Sequence, residues 1–204
     1  RAFAWRDGAS IGVADFLRDV QHVATQLPPI SHGLNACNDR YLFAVALGAC
    51  LARDIVTLVP PARTQGVLAQ LRGDAADLVL LVDPDDREPD GGLPMHRIEL
   101  GARSAATPPL LALPGTQLVA RVYTSGSTGV PKGVQVTHSG LRNLAEAQWS
   151  SFGVEAGEHV LQFSSLSFDA SIFELCLGLM AGGRVSLAGR ERLLPGAEMA
   201  EWLE

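Results

Sequence analysis

The sequence predicts an α/β fold built in layers, with mostly parallel strands. Strand-like and helix-like stretches alternate along all 204 residues, and this alternation is typical of parallel sheets covered by helices. Residues 77–82 read Asp-Leu-Val-Leu-Leu-Val, a continuous apolar run of the kind found in strands buried on both faces. Hydrophobic residues make up 47% of the chain, which is enough for a packed core.

The first 72 residues are predicted to contain two long helices, a strand and a short helix. Apolar residues recur at helical spacing over 13–27, and Ser10 is the predicted N-cap. Asp39 is predicted to cap a second helix that continues to Arg53 and is apolar nearly all round, so we expect it to be buried. The strand covers residues 55–59, and the short helix covers residues 62–72.

A polar stretch and a linker are predicted after the strand at 77–82. Residues 83–94 contain four aspartates and a glutamate, but they lack the spacing of a calcium-binding loop, so we expect a solvated surface loop. Residues 101–116 are rich in proline, glycine and alanine. We expect them to join two sub-structures, residues 1–115 and residues 116–204.

The second half of the chain continues the alternation of predicted strands and helices. A strand at 117–123 leads into a glycine-rich loop at 124–133. A later helix carries four apolar residues on the face that we expect to be buried, namely Leu141, Ala145, Trp149 and Phe152. The other predicted strands are residues 134–137, 160–163 and 184–187, and the other predicted helices are residues 171–181 and a last helix from Pro195.

The composition excludes several classes of protein. Twenty-two acidic residues against 16 basic ones give a net charge of −6 without a basic cluster, so we expect no nucleic-acid partner. No apolar run approaches the roughly 20 residues of a membrane span, so we expect no membrane partner. Cys37, Cys50 and Cys176 lie among apolar residues without CxxC spacing, which predicts free thiols in a reducing, cytoplasmic location.

The segment Tyr123–Gly133, YTSGSTGVPKG, has the residue types of a phosphate-binding loop. Its glycines let the backbone approach an anion, its hydroxyl groups donate hydrogen bonds, and successive N–H groups can form an anion-binding nest. Lys132, the single lysine beside fifteen arginines, adds a positive charge. A flexible Ser/Gly linker is the alternative interpretation. The predicted phosphate-binding residues are Thr124, Ser125, Gly126, Ser127, Thr128, Gly129 and Lys132.

Two better-known nucleotide motifs do not fit this segment. A Walker A loop needs Ser or Thr directly after its lysine, whereas Lys132 stands between Pro131 and Gly133. The GxGxxG fingerprint of dinucleotide-binding domains is also missing. A P-loop NTPase is therefore disfavoured.

The same segment resembles the phosphate-binding signature of the adenylate-forming (AMP-binding) enzymes, [ST]-S-G-[ST]-[TS]-G-x-P-K-G. This resemblance implies the layered αβαβα N-terminal subdomain of these enzymes, here as an incomplete, partial adenylation domain over residues 1–204. It implies ATP as the nucleotide and Mg²⁺ between its phosphates, with no metal ligand in this chain. It also implies that Lys132 is a catalytic residue, because the lysine of this signature neutralises the leaving pyrophosphate.

A second motif, Phe-Asp-Ala-Ser at 168–171, resembles the FDxS motif of amino-acid-activating domains, in which the aspartate pairs with the substrate's α-amino group. Ser171 and Glu174 have the spacing of a capping box for the next helix. That box would leave Asp169 without a structural role, although a helix N-cap is the alternative for Asp169. The resemblance assigns four residues to substrate binding, namely Phe168, Asp169, Ala170 and Phe173.

Taken together, these resemblances imply that a carboxylic acid is activated as its acyl-adenylate with release of pyrophosphate. Residues 117–190 are most similar to nonribosomal peptide synthetase adenylation domains, which favours an amino-acid substrate and a carrier-protein domain as a partner. The first 115 residues look more like acyl- or aryl-activating ligases. The family's adenine motif and its lid lysine are not found in the 204 residues, so we expect a fragment of a larger ligase. An acyl- or aryl-CoA ligase fragment and a truncated nucleotide-binding remnant without activity stay open.

Overall fold

The computed structural model describes residues 2–6, 8–75, 77–88, 91–101, 112–124, 132–180 and 182–203. In this part of the chain the strands are β1 (Ala2–Arg6), β2 (Ala9–Gly12), β3 (His32–Asn35), β4 (Val56–Val59), β5 (Leu78–Val82), β6 (Met95–Arg97), β7 (Leu118–Thr124), β8 (Lys132–Thr137), β9 (His159–Leu161) and β10 (Arg184–Leu187). The helices are α1 (Val13–Gln26), α2 (Arg40–Ala52), α3 (Gln65–Asp74), α4 (His138–Phe152), α5 (Asp169–Met180) and α6 (Ala197–Leu203), with a 3₁₀ turn at Arg190–Leu193.

The strands form two mixed sheets in which parallel pairs predominate. One sheet has the order β2-β1-β10-β9 and the other β6-β5-β3-β4-β7-β8. Among the described pairs, only β1–β2 and β7–β8 are antiparallel. The predicted α/β fold with mostly parallel strands is therefore confirmed. Each sheet contains strands from both sides of residue 115, and the division into two sub-structures stays a prediction.

The six-stranded sheet is covered on both faces. Leu80 of β5 packs into a core with Leu68 and Leu71 of α3, whereas its neighbour Leu81 belongs to the larger core that contains α2. All five residues of β5 are buried, as its continuous apolar run predicts. Alternate side chains of one strand therefore serve two cores.

Two of the predicted helix starts have different outcomes. The Asp39 carboxylate accepts hydrogen bonds from the N–H groups of Tyr41 (2.8 Å) and Leu42 (2.9 Å), so the predicted cap of α2 is confirmed. The predicted cap of α1 is wrong, because Ser10 lies within β2 and the helix begins after Gly12. The Gly12 N–H instead donates to the carboxylate of Asp15 (3.2 Å).

Burial also departs from expectation in two places. On α4, Leu141 and Ala145 are buried, but Trp149 is 45% exposed and Phe152 is 66% exposed, so only half of the predicted face is covered. In the predicted solvated loop at 83–94, Asp83 and Asp86 are buried. Both carboxylates have structural partners, which a polar composition cannot reveal.

No helix in the described ranges has the length and apolar character needed to cross a lipid bilayer. All three cysteines are free; Cys37 and Cys50 are buried, and Cys176 is half-buried. Burial raises the pKa of each thiol, to about 12 for Cys50 and about 11 for Cys176.

Candidate functional site

The predicted phosphate-binding loop connects the two strands of a hairpin. β7 and β8 are antiparallel, and Thr124 at the end of β7 lies opposite Lys132 at the start of β8. Directly opposed residues of such a pair project from the same face, with Cβ atoms about 5 Å apart. Both residues are exposed. The hairpin thus presents a hydroxyl and an ammonium group side by side where the loop leaves the sheet.

The other five predicted phosphate-binding residues, Ser125 to Gly129, lie outside the described residues. The last glycine of the signature, Gly133, lies within them. A Cβ atom at Gly133 would lie 2.6 Å from Cδ of Arg121 and 3.2 Å from Cε1 of Tyr123. A side chain at position 133 would therefore require the Arg121 side chain to move.

A cleft of about 580 Å³ opens at the carboxyl edge of the six-stranded sheet. It is lined by residues 35–38 at the end of β3, by Arg63 after β4, and by Phe163 and residues 165–167 after β9. Strand β3 lies between β4 and β5 in the sheet. The chain adds β4 on one side of β3 and then adds β5 on its other side, so the strand order reverses at β3. Ligands of open α/β sheets bind at such reversal points. Because β7 is parallel to β4, Thr124 lies at the same edge as this cleft.

The predicted capping box at the start of α5 is wrong. Helix α5 begins at Asp169, so Ser171 lies inside its first turn and donates its hydroxyl to the Phe168 carbonyl (2.7 Å). The carboxylate of Asp169 accepts a hydrogen bond from the Ala170 N–H (2.8 Å) and is exposed. A negative charge in the first turn also interacts favourably with the helix dipole.

The other predicted substrate-binding residues surround Asp169. Phe168 is 64% exposed, and Ala170 and Phe173 are half-buried. The Phe173 ring makes an edge-to-face contact with Phe152 of α4, with centroids 6.5 Å apart. An exposed carboxylate can accept a charge-assisted hydrogen bond from the ammonium group of a ligand.

Two residues that sequence reasoning missed hold the segment in front of Asp169. Both oxygens of the Glu174 carboxylate accept from the Ser164 N–H (3.1 and 3.0 Å), and Oε1 also accepts from the Ser164 hydroxyl (2.7 Å). On the other side, the Arg40 guanidinium donates to the Ser164 carbonyl (2.9 Å) and, through its Nε, to the Ala188 carbonyl (3.0 Å). Burial lowers the pKa of Arg40, while the nearby Glu174 opposes that shift.

The sequence contains a weak signal for only one of these residues. Glu174 is a charged residue within an apolar helical run, and such a residue needs a partner when it is buried. Its spacing to Ser171 suggested a local partner, whereas the structure provides Ser164 and Gln162. Nothing in the sequence distinguishes Arg40 from the other fourteen arginines, because its partners lie more than 120 residues away.

The described residues contain no group of three or more His, Cys, Asp or Glu side chains arranged to hold a metal ion. Mg²⁺ in nucleotide sites usually takes one or two carboxylates and completes its coordination with phosphate oxygens and water. Such a site does not need a preformed cluster of three protein ligands.

Comparison with known proteins gives a consistent result. The profile of the family described as "AMP-binding enzyme" matches residues 22–204. Chondramide synthase CmdD of Chondromyces crocatus is 33% identical over 180 residues, which cover 78% of this chain and 5% of that protein. Pyochelin synthetase PchE of Pseudomonas aeruginosa is 35% identical over 164 residues, covering 78% of this chain and 11% of that protein. This chain therefore spans only a small part of the relatives that it matches.

A solved structure shows the same fold. The N-terminal subdomain of Klebsiella oxytoca NpsA superposes with a TM-score of 0.77 at 20% sequence identity. The match covers 100% of this chain and 55% of the NpsA chain. The layered α/β arrangement found here is thus the fold of that N-terminal subdomain.

Proposed function

The chain belongs to the AMP-binding enzyme family, and from this premise we propose that it carries the phosphate and carboxylic-acid subsites of an adenylating ligase. In this proposal the ligase joins a carboxylic acid, specifically an amino acid, to AMP and releases pyrophosphate. The observation that carries the proposal is the family's phosphate-binding signature at 124–133, whose ends form a hairpin at the sheet edge that also borders the cleft.

The reaction consists of one displacement at phosphorus. A carboxylate oxygen of the acid bonds to the α-phosphorus of ATP, and the bond from that phosphorus to the bridging oxygen of the β-phosphate breaks. The electron pair leaves with pyrophosphate. Crowded negative charge opposes this step, so a catalyst supplies oriented donors and a cation rather than a covalent nucleophile.

The hairpin supplies these donors and this cation. We assign the hydroxyl groups of Thr124, Ser125, Ser127 and Thr128, and the backbone at Gly126 and Gly129, to the β- and γ-phosphates. Lys132 neutralises the charge that develops on the leaving pyrophosphate. Mg²⁺ supplies further charge neutralisation when it is bound with the nucleotide.

Asp169 is assigned to the α-amino group of the acid. Its carboxylate is exposed at the first turn of α5, so a substrate ammonium can reach it without rearrangement of the helix. Ala170 and Phe173, together with Phe168, form the proposed apolar surroundings of the substrate side chain. The proposed partners are the amino acid and, in the full-length protein, a carrier-protein domain that accepts the acyl group.

The proposal is tested by ATP–pyrophosphate exchange in the full-length protein that contains this chain, with a panel of amino acids, fatty acids and aryl acids. We expect exchange with at least one amino acid. Exchange with only fatty or aryl acids would replace the amino-acid assignment by an acyl or aryl ligase. ATP binding without exchange for any acid would refute the ligase and indicate a nucleotide-binding remnant.

Lys132→Ala tests the phosphate assignment in the same assay. Loss of one electrostatic group at a transition state typically lowers the rate by about 10²- to 10³-fold, and we expect a loss of that size. Arg142→Ala is the matched control, because Arg142 is an exposed cation on α4 whose side chain pairs with Glu146. Unchanged exchange in Lys132→Ala would contradict the assignment.

A further inference from the structure

The peptide units around Ser164 are held from two sides by charged groups of opposite sign. Glu174 of α5 accepts from the Ser164 N–H and hydroxyl, and Arg40 of α2 donates to the Ser164 carbonyl. Hydrogen bonds to ionised groups are about twice as strong as those between neutral groups. Ser164 is therefore bound more firmly than a loop residue with only backbone partners.

Gln162 joins the two charged groups. Its side chain is fully buried, its Oε1 accepts from Arg40, and its Nε2 donates to Glu174 (3.0 Å) and to the Ser164 carbonyl (2.8 Å). Its backbone N–H donates to the Ser186 carbonyl (3.0 Å), just beyond the paired residues of β9. We call Arg40, Gln162, Ser164 and Glu174 the loop clamp.

The loop clamp closes a short segment that contains Asp169. Ser164 lies five residues before Asp169, and Glu174 lies five residues after it. Between them the Phe168 N–H donates to the Ser165 carbonyl (3.0 Å), and the Ser171 N–H donates to the Phe168 carbonyl (3.0 Å). The segment is thus hydrogen-bonded from the clamp to the first turn of α5.

The loop clamp also connects the segment before Asp169 to the six-stranded sheet. Arg40 is the first residue of α2, which packs on β3 and β4 of the six-stranded sheet. That sheet also contains β7, which leads into the phosphate-binding loop, whereas the carbonyl groups that Arg40 binds follow β9 and β10 of the four-stranded sheet. Arg40 therefore links the segments that follow β9 and β10 of the four-stranded sheet to a helix that packs on the six-stranded sheet.

We propose that Arg40 and Glu174 are positioning residues that hold the Asp169 carboxylate at a constant place relative to the six-stranded sheet. This inference rests on the proposed function, because it assigns Asp169 to the substrate's amino group. Neither residue needs to touch the substrate. Loss of either residue would displace the Asp169 carboxylate from the substrate ammonium and so weaken binding of the acid, because a charge-assisted hydrogen bond depends on its geometry.

The first test is amide hydrogen exchange of peptides that cover residues 162–169, a measurement that needs no activity. Glu174→Ala removes the acceptor of the Ser164 N–H, so we expect exchange in this segment to become at least about tenfold faster. Glu174→Gln keeps one acceptor oxygen and should lie between Glu174→Ala and the wild type. Glu146→Ala, at an exposed glutamate on α4, is the control and should leave these peptides unchanged. If Glu174→Ala does not fold, Ser164→Ala takes its place, because it removes only the hydroxyl donor.

The second test separates positioning from a general loss of structure. In pyrophosphate exchange, Glu174→Ala and Arg40→Ala should weaken the hydrogen bond of the acid to Asp169, raise the KM for the acid about 10- to 100-fold and leave the KM for ATP within about twofold. Glu174→Gln and Arg40→Lys should restore part of the loss. Equal changes in both KM values, or unchanged amide exchange in Glu174→Ala, would overturn the proposal. A wild-type protein that exchanges with no acid would instead refute the proposed function, and amide exchange would still decide whether the clamp holds the segment.

Discussion

Replacement of Asp39 by alanine tests how the start of helix α2 is stabilised. The Asp39 carboxylate caps two N–H groups, those of Tyr41 and Leu42, and forms an ion pair with Arg6. Loss of an N-cap costs about 1 kcal/mol, within a range of about 0.5 to 2 kcal/mol. The Arg6 and Asp39 side chains are 34% and 28% exposed, so solvent screens the pair and its loss costs about 0.5 kcal/mol.

The expected total for Asp39→Ala is therefore about 1 to 2.5 kcal/mol of unfolding free energy. In a domain of this size each kcal/mol shifts the melting temperature by about 2 to 4 °C, so we expect a decrease of about 2 to 10 °C. Urea unfolding followed by circular dichroism measures the free energy, and calorimetry measures the melting temperature.

Asp39→Asn separates the two contributions. Asparagine caps helices as well as aspartate does, so this variant loses only the ion pair and should be destabilised by about 0.5 kcal/mol. Arg6 also lies over the Tyr41 ring, 5.6 Å from its centroid, and retains that contact. A loss in Asp39→Asn as large as that in Asp39→Ala would show that charge, and not the cap, stabilises this helix start. An unchanged Asp39→Ala would refute the reasoning altogether.

Three further predictions concern packing, thiol reactivity and pH. Gly178→Ala should lower the free energy of unfolding by about 1 to 3 kcal/mol, because the new Cβ would lie 2.8 Å from Cγ2 of buried Val185. Urea unfolding measures this loss. The control Gly66→Ala, whose Cβ would meet open space, should not lower the stability. At about pH 8 an aromatic disulfide reagent should react with the native thiols far more slowly than after unfolding, because burial raises their pKa, to about 12 for Cys50; fast native labelling would contradict this. Burial lowers the pKa of His96, so its stabilising contribution is present above about pH 6.5 and is lost as the pH falls through the lowered pKa. His96→Gln should therefore lose less stability than the wild type when the pH falls from about 7.5 to about 5. The midpoint of urea unfolding at the two pH values measures this loss, and equal decreases in both proteins would contradict the prediction.

Sequence patterns predicted those features of the fold that depend on residues close together in the chain. The apolar run of β5 and the capping role of Asp39 depend on neighbouring residues, and both are confirmed. By contrast, β1 and β2 were not predicted. Ala4 of β1 pairs with Val185 of β10, about 180 residues along the chain, and no local pattern reports a partner at that distance.

The same limit explains the incorrect capping box. A serine followed three residues later by a glutamate is compatible with a local cap, but it is equally compatible with a glutamate that binds donors elsewhere. Glu174 binds donors outside its own helix. The chain after β9 brings Gln162 and Ser164 within hydrogen-bonding distance of Glu174 on α5. Similarly, Asp83 and Asp86 were expected in solvent. The Asn38 N–H (2.8 Å) and the Arg63 guanidinium (2.8 Å) bind them in the structure.

The amino-acid sequence alone determined the residue types of the predicted phosphate-binding loop, since glycines, hydroxyl groups and one lysine within a short segment are recognisable without a fold. It also determined the fold class, because hydrophobic periodicity is a local property. Only the tertiary structure decided that Thr124 lies opposite Lys132 and that Arg40 and Glu174 hold the segment before Asp169. These relations join residues that are distant in the chain, and packing of the sheets and helices brings them within hydrogen-bonding distance.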